Sequence, residues 1–439
     1  MKRIGDFLTR YKESETVKDD VTYKQVTIGT NYKGVRLRGT KLGTDIGTKN
    51  QWLVKAGQFI LSRIDARNSA FGIIPEELEG ALVTNDFLAY DVNEDEVDRD
   101  FFNAFLQSPQ FLEACIKASR GNTNRKRVQE EFFLNYEVDL PGIEYQRVLI
   151  KKIERAKAAM RIANDEITYQ QTLLGKLRQA ILQEAIQGKL TVDWRKANPN
   201  IEPASQLLQR IRAEKACLIE EKKIRKEKTH PEVSLEELPF EIPDGWEWSM
   251  LREVGVISPK NKVEDELEVG FVPMPKIFAE YGKPNESEIK KWVEVKNGYT
   301  HFAEGDVGLA KITPCFQNGK STVFQNLTNS IGAGTTELHI VRPLFVKSEF
   351  ILMFLKSPHF IGPGIPKMTG TAGQKRIPAH YFTDSPFPLP PLAEQDAIVE
   401  RAKALMTTCR ELGTDIELSC SYADDLIQAV LKESFAHVQ

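Results

Sequence analysis

At 439 residues the chain is too long for one ordinary core, so two to four domains are expected. A hydrophobic share of 41% and a charged share of 28% suit a soluble globular protein. No run approaches eighteen apolar residues, and the opening MKRIGDFLTRYKESE lacks the apolar stretch of a secretory signal. Five scattered cysteines (Cys115, Cys217, Cys315, Cys409 and Cys420) contain no close pair, which argues for reduced thiols in a cytoplasm and against a zinc site. The net charge of −3 hides local structure. No acid lies between Glu113 and Glu130 or between Glu349 and Asp384, while cations fall in both stretches. A phosphate backbone would feel this local charge rather than the sum.

In chain order, Lys33-Gly-Val-Arg-Leu-Arg-Gly-Thr-Lys41, joined by Lys49, reads as a basic, glycine-punctuated loop or hairpin. Trp52-Leu-Val and Gly57–Arg63 read as strands around a turn, with a further strand over Thr84–Tyr90. A long helix follows, its apolar positions in strict 4-3 spacing: Leu149, Ile153, Ala156, Met160, Ala163, Ile167, Gln170, Leu174, Leu177 and Ile181. Gly188 ends it. Another helix starts at Pro203 and runs to about Lys228, and Pro231, Pro239 and Pro243 mark an extended stretch to Trp246-Glu-Trp248. Strand signals return at Gly305–Ile312 and Thr335–Val341. The chain closes with a second seam: Ile398, Ala402, Leu405, Cys409, Leu412, Ile416, Ser419, Ala423, Leu426 and Val430.

These elements are two copies of one plan. Phe105-Leu-Gln-Ser-Pro-Gln-Phe111 matches Phe354-Leu-Lys-Ser-Pro-His-Phe360 at an offset of 249. The same offset pairs Gly121 with Gly370, Lys126-Arg127 with Lys375-Arg376, Leu140-Pro141 with Leu389-Pro390, and Gln146 with Gln395. It also places Gln170 over Ser419, the one polar step of each seam. The helices share sequence and the segments before them share only a plan. Burial of each apolar stripe against its own repeat is the simplest arrangement; packing on a globular domain or homodimerisation are the alternatives.

Several phrases carry a resemblance. They are Ile186-Gln-Gly-Lys-Leu190, Glu202-Pro-Ala-Ser-Gln-Leu-Leu208, Leu238-Pro-Phe-Glu-Ile-Pro-Asp-Gly-Trp-Glu-Trp248 and Leu389-Pro-Pro-Leu-Ala-Glu-Gln395. In that order, and beside the repeat, they resemble the specificity subunits of type I restriction–modification systems. The resemblance implies an α+β fold: two target-recognition domains, 1–144 and 237–391, joined by a long antiparallel intramolecular coiled coil from helical regions 145–236 and 392–439, with pseudo-twofold internal symmetry. It implies recognition of a bipartite, asymmetric site on double-stranded DNA, with two methyltransferase subunits and motor-nuclease subunits as partners. S-adenosylmethionine, ATP and Mg would belong to those partners. The first copy departs from the pattern, with Gly142 where the second has Pro391.

Base reading needs donors and acceptors on a rigid head, and backbone holding needs cations. Gly121-Asn-Thr-Asn-Arg-Lys-Arg127 and Gly370-Thr-Ala-Gly-Gln-Lys-Arg376 supply both. The shared Lys126-Arg127 and Lys375-Arg376 are expected at phosphate, with Asn122, Asn124, Thr371 and Gln374 at base edges. Arg120 and Arg125 add charge. Lys33, Arg36, Arg38 and Lys41 form a second patch; Arg63 and Arg67, and Lys311, Gln317, Asn318 and Lys320, are further candidates. The bland reading of each is a solvated loop. Gly319-Lys-Ser-Thr322 is no phosphate loop, because the motif's leading glycine falls at Pro314. His301, His339, His359 and His380 lack metal spacing, and no methyltransferase motif is present, so a non-enzymatic chain is expected. The rival reading is a coiled-coil adaptor that touches nucleic acid incidentally.

Overall fold

A computed structural model describes residues 1–121, 126–225, 238–371 and 373–436. The chain divides into two compact units, Met1–Thr168 with Leu418–Gln439, and Tyr169–Glu417.

The first unit is built on a four-stranded antiparallel sheet in the order Leu8–Tyr11, Phe87–Val92, Phe59–Ser62, Phe71–Ile73. All four residues of Phe59–Ser62 are buried, because helices cover one face and a second sheet covers the other. Phe59 is the hub, within 6.4 Å of the rings of Phe71, Tyr90, Phe102, Phe111 and Phe133. Helices Arg99–Phe105 and Pro109–Ala118 start where the sequence supplies caps. Asp98 accepts from the amides of Asp100 and Phe101, and the Ser108 hydroxyl accepts from that of Phe111 ahead of Pro109. The second sheet has five strands, including the hairpin Thr22–Ile28 with Val35–Leu42.

The second unit repeats the first sheet strand for strand: Gly255–Ile257, Leu338–Pro343, Val307–Ala310, Ser321–Val323, again all antiparallel. Helices Ser348–Lys356 and Pro358–Gly364 take the place of the earlier pair. The companion sheet differs. It has four strands, Glu288–Lys291, Glu268–Val272, Ile331–Gly334 and Thr300–Ala303, with one parallel pairing. The expected α+β character is what the units show: shared central sheets with dissimilar attachments.

The two long helices, Ile143–Ile186 and Leu392–Ala436, are about 66 Å long at 1.5 Å per residue. In the first unit Lys152 lies 3.6 Å from Glu433. In the second unit the helices run antiparallel, since Arg178 donates to the Cys409 carbonyl at 3.2 Å while a Cβ on Gly413 would meet Leu174 and Arg178. The strict 4-3 seam is corrected here. Cys409 is buried as expected, but Leu177, Leu405 and Leu412 are 45%, 43% and 44% exposed, and Met406 is buried in place of Leu405. Arg178 takes the inner place expected of Leu177, and the missing side chain of Gly413 lets the helices close, which turns the neighbouring leucines outward.

Both helix starts are latched to their heads by the same glutamine. Gln146 accepts from the Asp98 amide at 2.8 Å and donates to the Pro141 carbonyl at 2.8 Å. Gln395 accepts from the Lys347 amide at 2.9 Å and donates to the Pro390 carbonyl at 2.9 Å. These partners are displaced by 249, and Gln146 donates in addition to the Glu96 carbonyl at 3.1 Å.

The connector brings the familiar phrases of the second unit to one buried carboxylate. Glu394 accepts from Thr191 Oγ1 at 2.6 Å, from Trp246 Nε1 at 2.8 Å and from Arg195. Gly188, at φ +68°, has no room for a Cβ beside Pro243 and Trp246. The helix expected from Pro203 to about Lys228 runs Ala204–Glu220 and stops before Lys222, which takes a left-handed conformation. Lys228 and Pro231 lie outside the described residues.

Candidate nucleic-acid interface

The residues flanking the glycine-led segments pair in the same register in both copies. Arg120 pairs with Arg127 in the first unit and Thr369 with Arg376 in the second. Gly121 and Gly370 turn the chain at φ +136° and +125°, a region that favours glycine. Each hairpin is anchored on the end of the central strand. The Val128 amide donates to the Arg63 carbonyl at 2.8 Å, and the Ile377 amide to that of Lys311 at 2.8 Å.

The arginines of the shared Lys-Arg pairs are held by carboxylates. Arg127 lies 3.4 Å from Asp86, and Arg376 forks onto Glu337 with bonds of 2.9 and 2.8 Å. This bond to Arg376 holds the Glu337 carboxyl below its usual range and raises the guanidinium above its own. Two-pronged geometry of this kind orients a side chain more than it stabilises an exposed surface. Arg376 is therefore a fixed, partly neutralised strut, and Lys126 and Lys375 are exposed cations beside the paired arginines. The sequence offered no sign that Glu337, 39 residues away, would be the partner. Arg120 lies with its guanidinium 3.7 Å from the centre of the Phe132 ring. Asn122, Asn124 and Arg125 lie outside the described residues.

The basic patch of the first unit joins this surface through a tight turn. Asn31 and Tyr32 both have positive φ. That costs about 1–2 kcal/mol per non-glycine residue, and it is held by bonds from their amides to the carbonyls of Asn68 and Ser69. Tyr32 packs edge-on against Phe71. The turn sets Lys33 beside the short helical turn Ala66–Asn68, which carries Arg67, just beyond Arg63. Arg36, Arg38 and Lys41 continue the exposed row along an edge strand, with Arg38 at a bulge. Lys49 turns away from the row and donates to Asp19 and the Gly43 carbonyl.

In the second unit the corresponding turn is longer. The Thr313 amide donates to the Lys375 carbonyl at 2.9 Å, and the Lys375 amide to Thr313 Oγ1 at 3.1 Å. Lys311, Thr371, Gln374 and Lys375 therefore adjoin the start of the turn that exposes Gln317 and Asn318. Lys320 faces inward, 3.4 Å from the Met274 carbonyl. His339 stacks on Phe382 beneath the hairpin, and burial lowers its pKa. Among the described residues no three His, Cys, Asp or Glu side chains gather as a metal site requires, and no helix is long and apolar enough to cross a membrane.

No family model matches the chain. Over 259 residues, 58% of its length, it is 48% identical to the type I restriction enzyme EcoAI specificity subunit of Escherichia coli. It is 47% identical over an equal stretch to the EcoEI specificity subunit of the same species. Over this stretch the chain is similar to type I restriction enzyme specificity subunits. The match spans 43% of the length of each of these two specificity subunits. The fold is shared with two solved structures. An HsdS subunit from Thermoanaerobacter tengcongensis aligns over 100% of this chain and 96% of its own, at a TM-score of 0.53 and 18% identity. A chain from a structure of a type I R-M system aligns over 99% and 96%, at 0.60 and 17%.

Proposed function

We propose that this specificity subunit reads a bipartite, asymmetric sequence on double-stranded DNA, one half-site per head, for a type I restriction–modification complex in the cytoplasm. One observation carries the reading. Each unit presents, on the same strand end and in the same register, a glycine-led hairpin whose lysine is exposed and whose preceding residues differ. A common cation suits the uniform phosphate backbone; variable neighbours suit base edges. The relatives are named as specificity subunits, and the chain supplies no methyl-transfer or nuclease chemistry in this reading. Two methyltransferase subunits would bring S-adenosylmethionine, and motor-nuclease subunits would bring ATP and Mg.

The outward leucines support the partner role. In the antiparallel pair of the second unit, Leu173, Leu177, Leu405 and Leu412 each lie one step before an inward residue. They consequently fall on one side of the pair and are all more than 40% exposed. An apolar stripe on a helix pair is a surface for another protein. An adaptor would explain that stripe but not the two matched hairpins.

The test is DNA binding by the chain assembled with its methyltransferase subunits. Footprinting is expected to show two separated protected segments. Lys126→Ala and Lys375→Ala should each lower the slope of log affinity against log salt by about one, and the double variant by about two. A slope unchanged in all three variants removes the hairpins from the backbone and this reading with them.

A further inference from the structure

Lys356 is the last residue of the helix Ser348–Lys356 and is only 8% exposed. Its ammonium has three N–H donors, and three backbone carbonyls take them: Ala279 at 2.8 Å, Gly319 at 2.9 Å and Phe278 at 3.3 Å. A buried cation without an ion partner in contact persists only if every donor is used. These carbonyls come from two separate stretches, the loop after Met274–Lys276 and the end of the turn Thr313–Gly319. Lys320 adds a weaker stitch from that turn to the Met274 carbonyl. At the other end of the turn Phe316 is fully buried and packs edge-on against Phe360.

Between these anchors stand Gln317 and Asn318, both exposed at the rim of a cleft of about 700 Å³ that Lys356 also lines. Two amide side chains on a turn fixed at both ends can present donors and acceptors in one attitude, as base-edge reading requires. Among its described residues the first unit has nothing of the kind. At the offset of 249 its residue is Gln107, exposed, and its turn is the shorter Ala66–Asn68. The pin therefore belongs to one head alone and sets that head apart.

We infer that Lys356 is a positioning residue for sequence recognition by the second head, acting by fixing the Gln317–Asn318 turn. This rests on the reading that the heads contact DNA. Lys356 touches no base in this account; it acts through the turn.

The experiment selects bound duplexes from a library with two randomised blocks separated by fixed spacers of several lengths. It uses the full chain with its methyltransferase subunits. A Gln317→Ala/Asn318→Ala variant is expected to lose about tenfold in discrimination at positions of one block only, a typical loss for a bidentate base contact. Lys356→Met, close in volume but without donors, should blur the same positions and leave the other block sharp. If Lys356→Met does not fold, Lys356→Gln replaces it, with two donors instead of three. A general structural weakening would lower affinity for both blocks alike, and that pattern overturns the proposal. So does an unchanged preference in the Lys356 variant when the double alanine variant has lost its own. If the double alanine variant keeps its preference, the turn does not read bases and the proposal falls, while sharp selection in both blocks by the unaltered complex leaves the reading of the heads standing.

Discussion

The two heads agree in the central sheet and disagree in everything attached to its end. Strand order, antiparallel pairing, hairpin register and glutamine latch recur, down to which amide and which carbonyl the glutamine meets. The first head then adds a basic edge strand, Val35–Leu42, reached through a turn held at positive φ. The second has a longer turn pinned by a buried lysine and a different second sheet. The shared elements are bonded through backbone or through a single buried side chain. The differing ones hang on the ends and edges of that framework. Framework and attachments are separable in this fold.

Glu394 gives the sharpest break in the comparison. In the second unit it is fully buried with three side-chain donors, whereas the equivalent residue of the first unit is Tyr145, 48% exposed. Glu394→Ala should cost about 3–5 kcal/mol, because Arg195 and the Trp246 indole are left without their acceptor. Tyr145→Ala should stay within about 0.5 kcal/mol. Denaturant melts of the two variants check this, and equal losses would refute the asymmetry.

The latch should behave in the opposite way. Gln146→Ala and Gln395→Ala each strand a buried backbone amide and a carbonyl, at about 2–3 kcal/mol. Hydrogen exchange should rise at the start of the nearer helix in each case, and by similar amounts. A strong effect in only one copy would mean that the matched geometry is not matched in energy.

Acid supplies a milder contrast. His301, His339 and His359 all belong to the second unit, and burial lowers the pKa of each below 6.5. As pH falls through that value the unfolded chain binds protons that the folded unit refuses, so stability present above it is lost below. No described residue of the first unit is a histidine. Between pH 7 and pH 5, amide protection relative to the intrinsic exchange rate at each pH should fall more over residues 250–390 than over 1–140.

The sequence was most legible where the signal was local or repeated. The offset of 249 located both heads, both long helices, the glutamines and the hairpins, because duplication preserves spacing even where side chains drift. It misled at the helix interface. Ile398, Ala402 and Cys409 are buried as seam residues should be, yet Leu405 and Leu412 are exposed, with Met406 buried and Gly413 at the close approach. Apolar character cannot distinguish the face a helix turns to its neighbour from one it offers to another protein. Long-range pairs were equally hidden. Glu337 and Glu394 look like surface acids in sequence, and only the fold brings Arg376 and Trp246 to them. Lys356 looked like part of an acid-free, DNA-facing stretch and instead points inward at three carbonyls.

The latch has an evolutionary corollary. Gln146 and Gln395 grip main-chain atoms, the amides of Asp98 and Lys347 and the carbonyls of Pro141 and Pro390. Main-chain atoms are common to all sequences of the same shape. A head of altered sequence thus keeps these latch contacts while its backbone holds the same course, and only the apolar surface facing Leu149, Ile150 and Ile153 has still to match.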